Sequence, residues 1–226
     1  MCGRYTLRRY EFDLYGVSGQ LSLPFEEFSE RPRFNVAPQQ DVAVVRVNAK
    51  GERVLGLVRW GLVPSWTKQT PKVQPINARA ETVTTSGMFR QALARRRCLV
   101  PADGFYEWQV VSPKQKQPFL FTVKNDAPFA FAGIWERWTA PDAEHPQDTM
   151  AIITTQANDV VQPVHARMPV ILHPSDYATW LDRDAPVDDA AALLRPFPAG
   201  QMHATAVSTR VNTPRNDDAG CVEPVG

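Results

Sequence analysis

The amino terminus places a cysteine directly after the initiator methionine, in the sequence MCGRY. Removal of Met1 would leave Cys2 with an α-amine and a thiol on adjacent carbons, a pair that no internal cysteine offers. An α-amine has an unperturbed pKa of about 7.7–8.0, so a good fraction of it is neutral and nucleophilic near pH 7. Two interpretations are open at this point: an oxidisable thiol on a frayed terminus, or a reactive centre at the terminus itself.

Three polar side chains alternate in the segment PINARAET. Asn77, Arg79 and Glu81 would point the same way in an extended segment, because successive strand residues face opposite sides. Such a face is most often simply solvated, and taken alone the segment favours that interpretation. The alternative is that the three side chains form one wall of a site.

Two further segments carry groups that suit proton transfer. Glu107 lies between two aromatic residues in PADGFYEW, where partial desolvation would raise its pKa toward the range of a general acid or base. His165 and Arg167 come just before an apolar run in VHARMPVIL. Each segment also has a structural interpretation, as a surface carboxylate on an amphipathic strand and as a histidine that serves packing.

The segment WGLVPSW brings two tryptophans together with a glycine and a proline in a predicted loop. Aromatic side chains in loops suit stacking on bases or on another ligand. Covering the edge of a core is their more common role, so this segment does not decide between the two.

Cysteine usage argues against structural disulfides and zinc. The three cysteines, Cys2, Cys98 and Cys221, are far apart, with no C-x-x-C pair and no spacing typical of metal ligands. We expect Cys98 to be a buried small apolar residue and Cys221 to be inert. This pattern fits a reducing cytoplasm, and we expect neither a metal nor a cofactor.

Charge and hydropathy exclude several classes of protein. The formal net charge of the 226 residues is +1, so any nucleic-acid contact must come from a local patch. No stretch approaches the roughly 18 apolar residues of a membrane span. The start of the chain has no apolar region typical of a secretory signal.

The order of predicted elements is dominated by strands and does not alternate βαβ. Residues 41–47 and 53–60 predict a hairpin around NAKGE. Further predicted strands are 97–101, 104–111, 117–124, 128–138, 149–155, 168–172 and 203–211, and predicted helices are 8–17, 86–96 with Ser86 as a cap, one from Pro174, and 187–195. This pattern predicts an α+β fold with mixed or antiparallel curved sheets, a barrel-like core and a few peripheral helices, in a single domain over residues 1–226.

Taken together, six segments resemble the SRAP family, the SOS-response-associated peptidases or abasic-site processing proteins. They occur in the order of the family's motifs and span nearly the whole chain: MCGRYT, RFNVAPQQ, WGLVPSW, INARAET, PADGFYEW and VHARMPVIL. The resemblance implies a barrel-like α+β domain with a positively charged groove for single-stranded DNA. It also implies removal of Met1 and a covalent link between Cys2 and an abasic site.

The resemblance further implies roles for particular residues. Cys2 would be the nucleophile, with Asn77, Glu107 and His165 as the other active-site residues. Contacts to DNA phosphates or bases would come from Arg4, Pro38, Trp66, Arg79, Met88, Phe89 and Arg167. The partner would be single-stranded DNA containing abasic sites, with no membrane, and we expect a monomer in the cytoplasm, associated with the nucleoid if the source is bacterial.

That chemistry requires cysteine at the terminus. The ring-opened abasic sugar carries an aldehyde, which the Cys2 amine converts to a Schiff base and the adjacent thiol then closes to a thiazolidine. Glu107 would act as a general base or acid near the amine, and His165 would protonate the sugar oxygen. Asn77 would hold the amine or the sugar oxygens by hydrogen bonds, while Arg79 and Arg167 clamp phosphates.

Two other functions fit the same residues. A cysteine peptidase would use Cys2 as nucleophile, including autocatalytic removal of Met1. A non-catalytic nucleic-acid-binding module would carry its terminal cysteine incidentally. The loop tryptophans and the paired arginines favour DNA, because a peptidase needs neither.

Overall fold

The computed structural model describes residues 2–17, 31–69 and 71–225, and most of its regular structure is β-strand. In these ranges the strands are β1 (Tyr5–Leu7), β2 (Arg33–Val36), β3 (Asp41–Val47), β4 (Arg53–Trp60), β5 (Asn77–Arg79), β6 (Arg97–Ala102), β7 (Gly104–Ser112), β8 (Gln115–Val123), β9 (Phe129–Trp138), β10 (Gln147–Gln156), β11 (Arg167–Pro169), β12 (Ile171–Leu172) and β13 (Met202–Ala206). The α-helices are α1 (Arg90–Arg95), α2 (Tyr177–Leu181) and α3 (Val187–Ala192). Within the described ranges no helix is long and apolar enough to cross a membrane.

Five of these strands close into a barrel. Strands β4, β3, β6 and β9 pair in that order, and β10 completes the ring by pairing with β9 on one side and β4 on the other. All of these pairings are antiparallel except that of β10 with β4. The predicted barrel-like core with mixed, curved sheets and few helices is therefore confirmed.

The barrel strands are apolar because both of their faces are largely covered. In β3, for example, Val44 and Val45 are consecutive and both fully buried, which is the pattern of a strand enclosed on two sides. The strands also approach closely. A Cβ at Gly133 of β9 would lie 2.8 Å from the Cys98 sulfur and 2.9 Å from a Val100 methyl carbon of β6. Cys98 thus has the buried, apolar role expected of it.

A second, antiparallel sheet packs on the barrel through aromatic rings. Its strand order is β13-β8-β7-β1-β2. The ring of Phe105 in β7 stacks on Phe121 in β8, with centroids 5.1 Å apart. Tyr5 of β1 and Phe105 meet the edge or face of Phe131 in β9, at centroid distances of 5.7 and 6.3 Å. This packing fixes β1 against the barrel, and the residues that come just before β1 are held there with it.

The carboxyl end of β10 projects beyond its pairing with the barrel strands and is flanked by two short strands. Strand β5 runs parallel to it, with Arg79 opposite Thr154. Strand β11 runs antiparallel on the other side, with Arg167 opposite Gln156. The two motifs INARAET and VHARMPVIL, which are far apart in sequence, therefore meet across one strand.

The helices are shorter than the sequence predicts. The helix expected over 86–96 covers Arg90–Arg95, because the preceding residues form separate turns; Phe89, not Ser86, is at the cap position. The helix expected over 8–17 is a single 3-10 turn, Phe12–Tyr15. The loop that joins β3 to β4 is confirmed as a hairpin connection.

The end of the chain differs from its prediction in the length of its last strand. The strand expected over 203–211 stops at Ala206, because its next partner is Pro118, which has no N–H to continue the ladder. The segment that follows, residues 207–225, is referred to as the tail; most of its later residues are exposed, but Val211 and Cys221 are fully buried. The tail therefore forms a second small core against the sheet of β7 and β8, with Tyr106 at its centre.

Candidate active site

Cys2 is buried in the main core rather than exposed on a frayed end. Its side chain has no solvent exposure, and its sulfur lies 4.0 Å from the carbonyl oxygen of Arg4. Burial raises the pKa of the thiol far above its usual value, and the nearby Glu107 carboxylate raises it further. The thiol is therefore protonated at neutral pH and needs a base before it can act as a nucleophile.

Glu107 is a buried carboxylate on β7, next to the imidazole of His165. Its side chain is 3% exposed, and its Oε1 lies 3.9 Å from His165 Nδ1. Burial raises the pKa of Glu107, and the proximity of His165 opposes that rise. A carboxyl group whose pKa is raised keeps its proton to a higher pH than a solvated one, which suits it to proton transfer.

The backbone around His165 orients its ring. His165 Nδ1 lies 3.0 Å from the N–H of Arg167 and 3.1 Å from the carbonyl oxygen of Arg167, so it accepts from the first when unprotonated and donates to the second when protonated. His165 comes at the end of a turn in which its own N–H bonds to the carbonyl of Val161. The ring is thus placed by main-chain contacts at the entrance of β11. We refer to Cys2, Glu107 and His165 as the reactive cluster.

Asn77 is held on β5, one strand away from β11 across β10. Its Nδ2 lies 3.5 Å from the carbonyl of Ile152, its partner in the ladder. Its Oδ1 is buried and has no hydrogen-bond partner within the described residues. A buried amide oxygen without a partner is rare, and it suits an incoming amine or hydroxyl donor.

The two arginines expected to hold phosphates have different surroundings. Arg79 is exposed at the end of β5. The Arg167 side chain is 19% exposed and donates from both terminal nitrogens to Glu81, at 2.5 and 2.9 Å. Arg167 also donates to the carbonyl of Thr154 at 2.7 Å. Arg167 as a phosphate contact stays a prediction, since Glu81 occupies its fork in this structure.

Arg4 lies with the tail rather than in the reactive cluster. It donates from Nη1 to Asn35 Oδ1 at 2.9 Å and to the carbonyl of Val211 at 2.8 Å. Its guanidinium lies 5.9 Å from the Trp108 ring. Glu107 and Trp108 are consecutive in β7 and face opposite sides of it. A phosphate contact by Arg4 stays a prediction, and the Trp108 side of the sheet is where it would occur.

The aromatic and apolar residues expected at the bases lie in loops and turns. Trp66 is 63% exposed and Met88 37% exposed, whereas Phe89 is partly buried against the main core. Pro38 is half-buried in the turn between β2 and β3. The loop with Trp66 is tied to the segment before Asn77, because Leu62 N–H donates to the carbonyl of Pro75 at 2.9 Å. An exposed tryptophan in that position fits stacking on a base.

Three residues make contacts in these sites that the sequence does not predict. Glu81 was recognised in the alternating pattern but had no assigned partner, and Thr154 lies in an ordinary apolar strand with no signal. Asn35 lies within RFNVAPQQ, and it is fully buried under the tail. A buried asparagine in a motif is a signal of fixed hydrogen bonds, but its partners could not be read from the sequence.

Comparison with known proteins agrees with the motifs and the fold. The family model "SOS response associated peptidase (SRAP)" matches residues 1–214. The "Abasic site processing protein YoqW" of Bacillus subtilis is 39% identical over 225 residues, covering 99% of both chains. The chicken (Gallus gallus) "Abasic site processing protein HMCES" is 34% identical, covering 86% of this chain and 67% of the relative.

Solved structures show the same architecture. A crystal structure of a protein from Bacteroides thetaiotaomicron superimposes with a TM-score of 0.87 at 25% identity, covering 99% of this chain and all of the other. A protein from Bordetella bronchiseptica has a TM-score of 0.76 at 30% identity, covering 92% of this chain and all of the other. With the family motifs, the fold and the buried Cys2 in agreement, this chain belongs to the SRAP family.

Proposed function

We propose that this protein recognises abasic sites in single-stranded DNA and, once Met1 is removed, joins to them covalently through Cys2. The observation that carries the proposal is the burial of Cys2 beside Glu107, which itself adjoins His165. This arrangement is unexpected for a chain end with a purely structural role. The relatives named as abasic site processing proteins supply the substrate class.

The covalent step begins with the amine. The neutral α-amine of Cys2 adds to the aldehyde carbon of the ring-opened sugar, and loss of one water from the carbinolamine gives the imine. The thiol sulfur then adds to the imine carbon while its proton goes to the nitrogen, which closes the five-membered thiazolidine. No oxidant or reductant is needed, because the only molecule released is water.

Each neighbouring group has a place in these steps. Glu107 takes the proton from the attacking amine and returns it to the departing hydroxyl, which suits a carboxyl group with a raised pKa. His165, as the imidazolium, gives a proton to the sugar oxygen as the ring opens and is left as the neutral imidazole, while the main chain of Arg167 holds its Nδ1 side. Asn77 accepts a hydrogen bond from the amine or a sugar hydroxyl through its buried Oδ1.

Cysteine-type peptidase activity, including release of Met1, is the second candidate, because the same cluster of thiol, carboxylate and imidazole would serve it. The protonated state of the thiol favours the DNA reaction. Cysteine peptidases need a thiolate at rest, with a thiol pKa lowered by a neighbouring cation. Here burial and Glu107 raise the pKa instead. The amine-first reaction does not need a resting thiolate.

Mass spectrometry of the mature protein with single-stranded DNA carrying one abasic site tests the proposal. We expect a heat-stable adduct whose mass equals the sum of protein and DNA less one water. Cys2→Ala protein and protein that retains Met1 should each form no thiazolidine. Absence of the adduct with mature wild-type protein would falsify the proposal, and a stable adduct in the Cys2→Ala variant would exclude the thiazolidine mechanism.

A further inference from the structure

The Arg167 guanidinium already has an anion bound to it. Glu81 accepts from Nη1 and Nη2 at 2.5 and 2.9 Å, which is a two-point contact with the terminal fork. Its carboxylate is the counter-ion of a side chain that is 19% exposed, while Glu81 itself is 43% exposed. The pair lies beside the end of β10, in the same part of the fold as His165 and Arg79.

The remaining donors of Arg167 leave no second fork for a phosphate. A guanidinium has five N–H groups, and bidentate recognition of phosphate needs two adjacent ones. Two are taken by Glu81, and one more on Nη2 is taken by the Thr154 carbonyl. The Nε–H has no partner in the described residues, but it is buried, so a phosphate in solvent does not reach it.

We propose that Glu81 is a resident anion on Arg167, and that a phosphate of the DNA strand takes its place when DNA binds. This inference rests on the proposed function, because it concerns the strand that brings the abasic site to Cys2. The exchange keeps one negative charge on the guanidinium in both states. Glu81 is exposed enough to turn into water, whereas Arg167 is held by Thr154 and by the ladder of β11 with β10.

The exchange leaves His165 in place. The contact that orients its ring comes from the main-chain N–H of Arg167, not from the guanidinium. That main chain is fixed by pairing with Gln156. Glu81 therefore sets the affinity for the DNA backbone without setting the geometry of the reactive cluster. Each strand that binds must first displace a carboxylate, which weakens binding to undamaged DNA.

Binding of undamaged single-stranded DNA, measured as a function of salt, tests the exchange without any covalent step. We expect Glu81→Gln to bind about threefold more tightly at low salt, because a weaker competitor is displaced. The plot of log affinity against log salt should keep the wild-type slope, because the same phosphate lies on Arg167 in both proteins once DNA is bound. Glu144→Gln is the matched control, since it removes the same charge from an exposed turn.

A double variant separates exchange from simple charge repulsion. In an Arg167→Ala background, Glu81→Gln should no longer tighten binding, because there is no fork to release. Equal tightening in that background would overturn the exchange, as would tightening no greater than in Glu144→Gln. Weaker binding by Glu81→Gln would overturn it too, and would make Glu81 a residue that positions Arg167 for DNA. Because the DNA is undamaged, all of these outcomes are independent of whether Cys2 forms an adduct.

Discussion

Two buried polar regions on opposite sides of β7 differ in how completely their hydrogen bonds are satisfied. On the Trp108 side, the tail cluster of Arg4, Asn35 and Asp217 is filled. Asn35 donates to the carbonyls of three tail residues and accepts from Arg4, and Asp217 accepts from two backbone N–H groups and an arginine. On the other side, Asn77 Oδ1 and Arg167 Nε are buried without partners in the described residues.

This difference in hydrogen bonding indicates that one region stabilises the fold and that the other is available to bind a ligand. A satisfied buried network fixes one conformation and contributes to stability, whereas a buried polar atom without a partner costs free energy unless a ligand supplies one. The tail cluster is therefore the part that holds the segment after Cys2 in place. Under the proposed function, the region at the end of β10 is the part whose missing hydrogen bonds the substrate supplies.

The largest expected effect on the reaction is at Glu107. Glu107→Gln keeps the shape but removes the titratable group, so we expect adduct formation to slow by about 100-fold or more. The measurement is the single-turnover rate on abasic single-stranded DNA, with the melting temperature as the control for folding. A rate within twofold of wild type would remove Glu107 from proton transfer.

Asn35→Ala is expected to have the largest effect on stability. It removes four hydrogen bonds in a buried site and leaves tail carbonyls without donors, so the free energy of unfolding should fall by about 3 kcal/mol. Urea denaturation measures this. If the free energy of unfolding falls by less than about 1 kcal/mol, the tail cluster does not have the stabilising role assigned to it here.

Asn77→Ala is the matched substitution in the other region. Among the described residues its side chain makes one hydrogen bond, which is long at 3.5 Å, so we expect the free energy of unfolding to change by about 0.5 kcal/mol or less. The rate of adduct formation should fall about tenfold, since the buried acceptor for substrate is lost. A stability loss as large as that of Asn35→Ala would show that the two asparagines have the same role.

The smallest expected effect is a dependence of stability on pH. Burial raises the pKa of Glu107 in the folded protein above its value in the unfolded chain. Its contribution to stability is therefore fully present below the unfolded pKa, about 4.3, and is lost as the pH rises through the folded pKa. Wild type should thus lose stability relative to Glu107→Gln as the pH increases from 4 to 8. Parallel curves from urea denaturation would contradict the raised pKa.

Much of the fold followed from local patterns. The hairpin of β3 and β4 and the strands around Phe105 and Phe131 follow from apolar runs bounded by turn residues, and these patterns are local. The limits of α1 and β13 did not follow, since one depends on turns before Arg90 and the other on the position of Pro118 in a partner strand. Burial of the tail also depended on a surface that is formed elsewhere in the chain.

The candidate site was predicted in its members but not in its contacts. The motifs pointed to Cys2, Glu107 and His165, and the structure links them through burial and a 3.9 Å approach. The pairing of Glu81 with Arg167 joins residues 86 positions apart, and no pattern in either segment announces it. The side of β7 on which Arg4 lies was likewise hidden, because Arg4 precedes the strand whose alternation would fix it.

The sequence by itself determined the types of the reactive groups, because a terminal cysteine, a carboxylate between aromatics and a histidine before an apolar run are properties of short segments. The tertiary structure decided which of these groups are desolvated, which already form ion pairs, and which buried polar atoms lack a hydrogen-bond partner in the described residues. Those properties depend on atoms brought together across β10 and β7 from distant parts of the chain. That assembly buries Glu107, which raises its pKa, and it brings Glu81 onto the guanidinium of Arg167.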